Sequence, residues 1–193
     1  MGSFSIKMSF SYKVLNPFES FDARLVTRVK VIRTNRPYYG FIINKEILFV
    51  HTDSAIIINP PAEKYRANDA KALIDFNKGT SNNLNLNWIG FREQTMKLGF
   101  HLSEGKMISK TVLSLADNTG SYVFPPEKII IKGGSDPQHL KPLGSFTPVQ
   151  PKEQRNAGML PISIDFKPGT YQYIEIEAIN VQHLPKWHPG KKE

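Results

Sequence analysis

Five histidines are the first residues to test for chemistry: His51, His101, His139, His183 and His188. None stands in an H-x-x-x-H or H-E-x-x-H pair. His183 and His188 flank Leu184-Pro185 in an irregular stretch, and no adjacent Asp, Glu or Cys completes a ligand set. The chain has no cysteine, which excludes disulfides, thiolate metal sites and cysteine nucleophiles and leaves the compartment open. There is no Gly-x-Ser-x-Gly elbow and no phosphate-binding glycine loop. Gly133-Gly134-Ser135-Asp136 reads as a turn. Cleaving a glycosidic bond takes two carboxylates on either side of it. Here Asp69, Asp75, Glu93, Asp117 and Asp165 are isolated, and Glu175 and Glu177 share the solvent face of one strand. Such carboxylates ordinarily make salt bridges and turns, so no catalytic group emerges and the chain reads as a non-enzyme.

Binding is better supplied. A sugar site sets an aromatic ring under the apolar face of the sugar and directs amides, His or Arg at its hydroxyls. Trp88 follows the amide-rich run Asn82-Asn83-Leu84-Asn85-Leu86-Asn87. Tyr122 tips the loop Asp117-Asn118-Thr119-Gly120-Ser121-Tyr122-Val123-Phe124-Pro125-Pro126, and Trp187-His188-Pro189-Gly190 is a proline-bracketed turn near the C-terminus. Trp88, Tyr122 and Trp187 are the candidate stacking rings; Asn118 and His188 are the candidate hydroxyl partners. The competing reading puts Trp88 with Phe91 in the core and makes Tyr122 and Trp187 a plug at one end of the fold.

The elements that must carry these loops read as strands. Met96, Leu98, Phe100 and Leu102 alternate with Lys97, Gly99 and His101, a half-buried strand with His101 outward. Ile108, Val112 and Leu113 belong to a next strand, and Lys128 to Lys132 to another. Ile162, Ile164 and Phe166 alternate with polar neighbours, as do Ile174, Ile176 and Ala178. Leu25 to Ile32, Ile47 to Val50 and Ala55 to Ile58 are further apolar runs. The double proline Pro60-Pro61 cannot continue a central strand and suggests a boundary between about 51 and 62. Ala67 to Asp75 is the one helix candidate, with Ala70, Leu73 and Ile74 on a face, and 144–158 reads as an exposed loop. Many strands with Pro- and Gly-rich connections predict an all-β antiparallel sandwich.

Composition sets the outer limits. The 193 residues include 12 Phe, 7 Tyr and 2 Trp, ample for a core. No run approaches the roughly 18 apolar residues of a membrane helix, and Met1 to Tyr12 lacks a signal-peptide pattern. The net charge of +8 is spread out, its tightest group being Arg24, Arg28, Lys30 and Arg33 at mixed spacing. That reads as a solvated face and not a nucleic-acid site.

At these same residues the chain resembles a known family. Leu73-Ile74-Asp75 with Lys78-Gly79-Thr80, then Asn87-Trp88-Ile89-Gly90-Phe91, is similar to the L-x-D-G-x-x-G-S … W-x-G-F opening of galactose-binding-like domains. The copy it resembles is appended to chitobiase-type β-N-acetylhexosaminidases (family 20 glycoside hydrolases) of Bacteroidetes. These are relatives of the discoidin, or coagulation factor 5/8 type C, modules and of family 32 carbohydrate-binding modules. The loop Asp117 to Pro125 resembles that family's Q-D-T-G-S-W-I-F-x-P. Ala178-Ile179-Asn180 with Leu184-Pro185-Lys186-Trp187-His188-Pro189-Gly190 resembles its A-x-N … C-P-x-W-H-P-G. Order and spacing agree over roughly residues 56–190. More weakly, Tyr12 to His51, with Pro17-Phe18 and Val29-Lys30-Val31, resembles part of the small β-sandwich that precedes the module. The chain departs at Phe76 for a glycine, Tyr122 for a Trp and Leu184 for a Cys, and it stops before the family's final strand.

The resemblance implies a galactose-binding-like jelly roll over 55–193 lacking its last strand, preceded by a partial β-sandwich over 1–54. It implies a non-catalytic carbohydrate-binding accessory region of a hexosaminidase-like glycoside hydrolase, without the catalytic barrel. The glycan would be of galactose or N-acetylhexosamine type, the partner a parent catalytic domain, and the location periplasmic, cell-surface or secreted. It also implies a structural calcium, with Asp75, Thr80 and backbone carbonyls as oxygen ligands. The alternative is a structural or protein-interaction β-sandwich that binds no sugar.

Overall fold

The computed structural model describes residues 3–13, 46–47, 54–67, 69–74, 79–80, 83, 88–92 and 94–191. Two strands dominate it. Strand β5 (Met96–Asp117) and strand β8 (Gly158–Ile179) are each 22 residues long, far beyond the usual length of about six. They pair with each other antiparallel along their length, from Met96↔Ala178 to Asp117↔Gly158. The others attach to them: β1 (Ser3–Lys13), β2 (Glu46–Ile47), β3 (Ser54–Ile57), β4 (Ile89–Arg92), β6 (Lys128–Gly134) and β7 (Leu140–Phe146). Strand β3 pairs with the first half of β5, and β1 with its second half and with β4. Strand β6 lies on the second half of β8, and β7 on β6. Every pairing is antiparallel, as the alternation predicts.

The expected separate strands around Met96–Leu102 and Ile108–Leu113 are one continuous strand, and so are those around Ile162–Phe166 and Ile174–Ala178. Local irregularities let them bend without ending. Along β5 the buried side chains are Met96, Leu98, Phe100, Leu102 and Ile108, then Thr111, Leu113 and Leu115. The change from even to odd positions falls where the pairing with β8 shifts, between Ile108 and Lys110. There Ser109 of β5 stands opposite Phe166 to Pro168 of β8, an irregularity of the kind that bends a strand and re-aims its side chains. Both halves of each long strand therefore face one core. Leu98, Phe100, Leu113, Leu115, Ile129, Ile131, Ile162, Ile164, Ile174 and Ile176 form a single cluster.

This return path brings the ends of β5, β8 and β6 together. The loops that leave them, 118–127, 147–157 and 180–191, are joined by hydrogen bonds such as His188 to Thr119 and Trp187 to Pro151. The expected helix over Ala67–Asp75 is a 3-10 turn, Asp69–Leu73, that buries Ala72 and Leu73. Ala67 and Asp69 take left-handed backbone angles, φ 43° and 50°, which an α-helix cannot continue through. Most of 14–53 lies outside the described residues, and with it the expected strand at Leu25–Ile32 and most of the expected N-terminal unit.

On the outer face of the β6–β8–β5 sheet, Glu175 and Glu177 are not simply solvated. Lys132 Nζ donates to both at 2.9 Å, and Lys97 lies 3.9 Å from Glu177. Those two bonds hold the Lys132 ammonium above its ordinary value. Beside them Tyr173 lies over Gly99 and meets His101 edge-on at 5.9 Å. Burial, then the charge of Glu175, pushes its phenol up.

The turn between β6 and β7 is closed by Asp136, as the glycine pair before it suggests. Its Oδ1 accepts the Gln138 and His139 N–H groups at 2.8 and 3.1 Å. Ser135 Oγ and His139 Nδ1 reach the same carboxylate at 2.9 Å. The His139 bond first, then Ser135 and Gln138, lowers the carboxyl from 3.8 to about 2. Because the folded value is depressed, the turn's support is present above the unfolded value and is lost as pH falls toward about 2. Carboxyl-detected NMR titration should place Asp136 near about 2, and His139→Ala should raise it toward the ordinary value.

Candidate functional site

Thr119 organises the end where the loops meet. It opens a short 3-10 turn, Thr119–Ser121, after Asn118 and Val123 have paired through two backbone hydrogen bonds of 3.0 Å. The Thr119 carbonyl accepts Tyr122 N–H at 3.0 Å. This closes the turn with Tyr122 in the left-handed region, φ 63°, which costs on the order of 1 kcal/mol for a residue with a Cβ. The same carbonyl accepts His188 Nε2–H at 2.9 Å. The Thr119 hydroxyl accepts Arg155 N–H at 2.7 Å and donates to the Arg155 carbonyl at 3.5 Å. The Arg155 guanidinium in turn reaches Asp117 Oδ2 at 3.1 Å. Asp117 is buried, and its other carboxylate oxygen has no hydrogen-bond partner.

The remaining contacts fasten the three loops to one another. Trp187 Nε1–H donates to the Pro151 carbonyl at 3.0 Å. The Gln150 amide donates to the carbonyls of Pro125 and Pro126 at 3.3 and 3.0 Å. The His188 ring sits among Tyr122, Phe124 and Trp187, with centroids at 4.8, 5.6 and 5.6 Å. Gly190 lies against the Tyr122 ring so closely that a Cβ there would overlap it.

The structure thus gathers Trp88, Asn118, Tyr122, Trp187 and His188 at one end, in unequal roles. Trp88 is 0% exposed and packs with Ala116 and Val123. Its indole N–H donates to the Thr80 carbonyl at 3.0 Å, and its ring covers Gly79. No face of it is open to a sugar. His188 is 4% exposed, and both ring nitrogens are engaged by backbone, Nδ1 accepting Gly190 N–H at 3.0 Å. It has no nitrogen left for a hydroxyl. Asn118 and Trp187 are half-buried. Tyr122 is 44% exposed, flanked by exposed Gly120 and Ser121 and by the exposed run Lys152–Asn156.

At the expected calcium position, Asp75 lies outside the described residues. The Thr80 carbonyl is turned to Trp88. Among the described residues, no three His, Asp or Glu side chains converge. Thr80 by itself does not make an oxygen cage.

Sequence reasoning missed Thr119, Arg155 and Gln150 as members of this end. Thr119 stands inside the loop that Tyr122 tips, and a lone threonine there carries no local signal of its bonds to Arg155. Arg155 and Gln150 lie in a segment that reads only as an exposed loop, and nothing local marks a bond to a residue 36 positions away.

The class defined by this architecture is an antiparallel all-β sandwich with its loops gathered at one end; among the described residues no helix is long and apolar enough to cross a membrane. No family model and no curated protein matches the chain. Among solved structures it is similar to CpGH89CBM32-5 from Clostridium perfringens, in complex with GalNAc-beta-1,3-galactose. Identity there is 12% over 66% of this chain and 84% of that one, with a TM-score of 0.42. It is also similar to the C-terminal domain of a chitobiase from Bacteroides fragilis, at 11% identity over 66% and 83% and a TM-score of 0.39. These are likenesses of shape alone.

Gly79→Ala tests the packing beneath this end. Its Cβ would fall inside the indole of Trp88, a rigid buried ring, so chemical denaturation should show a loss of about 1–3 kcal/mol.

Proposed function

We propose that this chain is a non-catalytic carbohydrate-binding module whose site is the Tyr122 tip. One observation carries the reading: an aromatic residue is held in a left-handed conformation and left 44% exposed by a loop whose Asp117, Thr119, Val123 and Phe124 are buried. Unfavourable backbone angles that the surroundings enforce are concentrated at functional positions. The phenol ring supplies the platform for a sugar's apolar face. Ser121, Asn118, Gln154 and the partly exposed Arg155 guanidinium supply donors and acceptors around it. Trp187 contributes its exposed edge. Trp88 and His188 support the site from beneath and do not touch the ligand.

The resemblance to chitobiase-type enzymes extends the proposal. The chain would serve a hexosaminidase-like glycoside hydrolase as an accessory region, outside the cytoplasm, with a glycan of galactose or N-acetylhexosamine type as ligand. Of residues 1–54, strand β1 pairs with β4 and β5 of the module, and the remainder would form part of a preceding β-sandwich; a calcium held through Asp75 and Thr80 would brace the loop before Trp88. A second reading, a structural or protein-contact module, is favoured by the burial of Trp88 and His188.

Titration with galactose, N-acetylglucosamine and N-acetylgalactosamine separates the two. Wild type should bind at least one of them, and Tyr122→Ala should weaken that binding by about tenfold or more through loss of the platform. No binding by wild type to any of the three, with the fold intact by circular dichroism, supports the structural reading instead.

A further inference from the structure

His188 occupies a position that the sugar-binding reading does not use. It is almost wholly buried, and its two ring nitrogens meet backbone groups of opposite kind. Nε2 faces the Thr119 carbonyl at 2.9 Å, which can only accept; Nδ1 faces Gly190 N–H at 3.0 Å, which can only donate. Both bonds exist together only in the neutral ring with its proton on Nε2. The Thr119 carbonyl that it holds is the one that closes the turn of Tyr122, and Gly190 is the residue against which the Tyr122 ring lies.

We infer that His188 is a proton-sensitive clamp that positions Tyr122, holding the tip closed as a neutral ring and releasing it when protonated. A second proton on Nδ1 would set two donors against each other at Gly190, in a part-buried place where a lost acceptor is costly. The bond from Gly190 would break, and with it the seat of the Tyr122 ring. The rings packed on His188 are Tyr122, Phe124 and Trp187. The titratable and charged groups on the elements around it are Tyr122 and Asp117 of the tip loop, and Lys152, Glu153 and Arg155 of the neighbouring segment. On its own loop they are His183, Lys186 and Lys191. Asp117 is taken up by Arg155. The inference rests on the reading of Tyr122 as the site only for its consequence, since the clamp itself stands on the hydrogen bonds.

The test uses no sugar, so its failure and the failure of glycan binding are separate results. Long-range nitrogen–proton NMR at about pH 7 should show His188 as the Nε2–H tautomer. The amide-exchange protection factor of Gly190, whose N–H loses its acceptor, should fall about tenfold over the pH range in which the His188 ring-nitrogen signals report the second proton. In His188→Gln, which can donate to Thr119 and does not titrate, it should stay level. An Nδ1–H tautomer in wild type would by itself overturn the inference, even if His188→Gln fails to fold. So would protection that is indifferent to pH in wild type, or that falls equally in His188→Gln.

Discussion

The hydrogen bonds converging on Thr119 are the constraint on which the rest of this end depends. One carbonyl oxygen takes both the N–H that closes the Tyr122 turn and the imidazole N–H of His188. One hydroxyl exchanges bonds with the backbone of Arg155. Three loops that are distant in sequence are thereby tied at a single buried residue. A buried carbonyl or hydroxyl left without partners costs more than a made bond contributes, so each loop holds the others in place. Tyr122 with positive φ is tolerated because its neighbours leave it no alternative.

The fold places that knot. Strands β5 and β8 run out from the loop end, turn over through their irregular pairings and come back. The pairing shift between Ile108 and Lys110, where Ser109 stands opposite Phe166 to Pro168, matters here. With it, Leu113 and Leu115 face the same core as Leu98 and Phe100.

Much of the architecture was legible in residue alternation. Met96 to Leu102 and Ile174 to Ala178 announce half-buried strands, and the pairing agrees. The continuity of β5 and β8 was not legible. Gly105 and Lys167-Pro168-Gly169 look like strand ends, but bulged pairing across them keeps the strands together. At the candidate site, the structure brings the five residues singled out by type, Trp88, Asn118, Tyr122, Trp187 and His188, to one end. What sequence could not supply was orientation. A Trp after an amide-rich run reads equally as platform or core, and only the close approach of Gly79 and the bond to Thr80 decide for core. His188 reads as a hydroxyl ligand until both its nitrogens are seen to be taken by backbone. Arg155 had no local signal at all.

The measurement that bears most directly on this account is a double-mutant cycle between Thr119→Val and His188→Gln, read by denaturant unfolding. Thr119→Val removes the hydroxyl bonds to Arg155 and keeps the carbonyl that His188 holds. If Thr119 joins the loops into one unit, the two losses should be non-additive by about 1 kcal/mol. Strict additivity would show that the loops are held independently and would contradict the account.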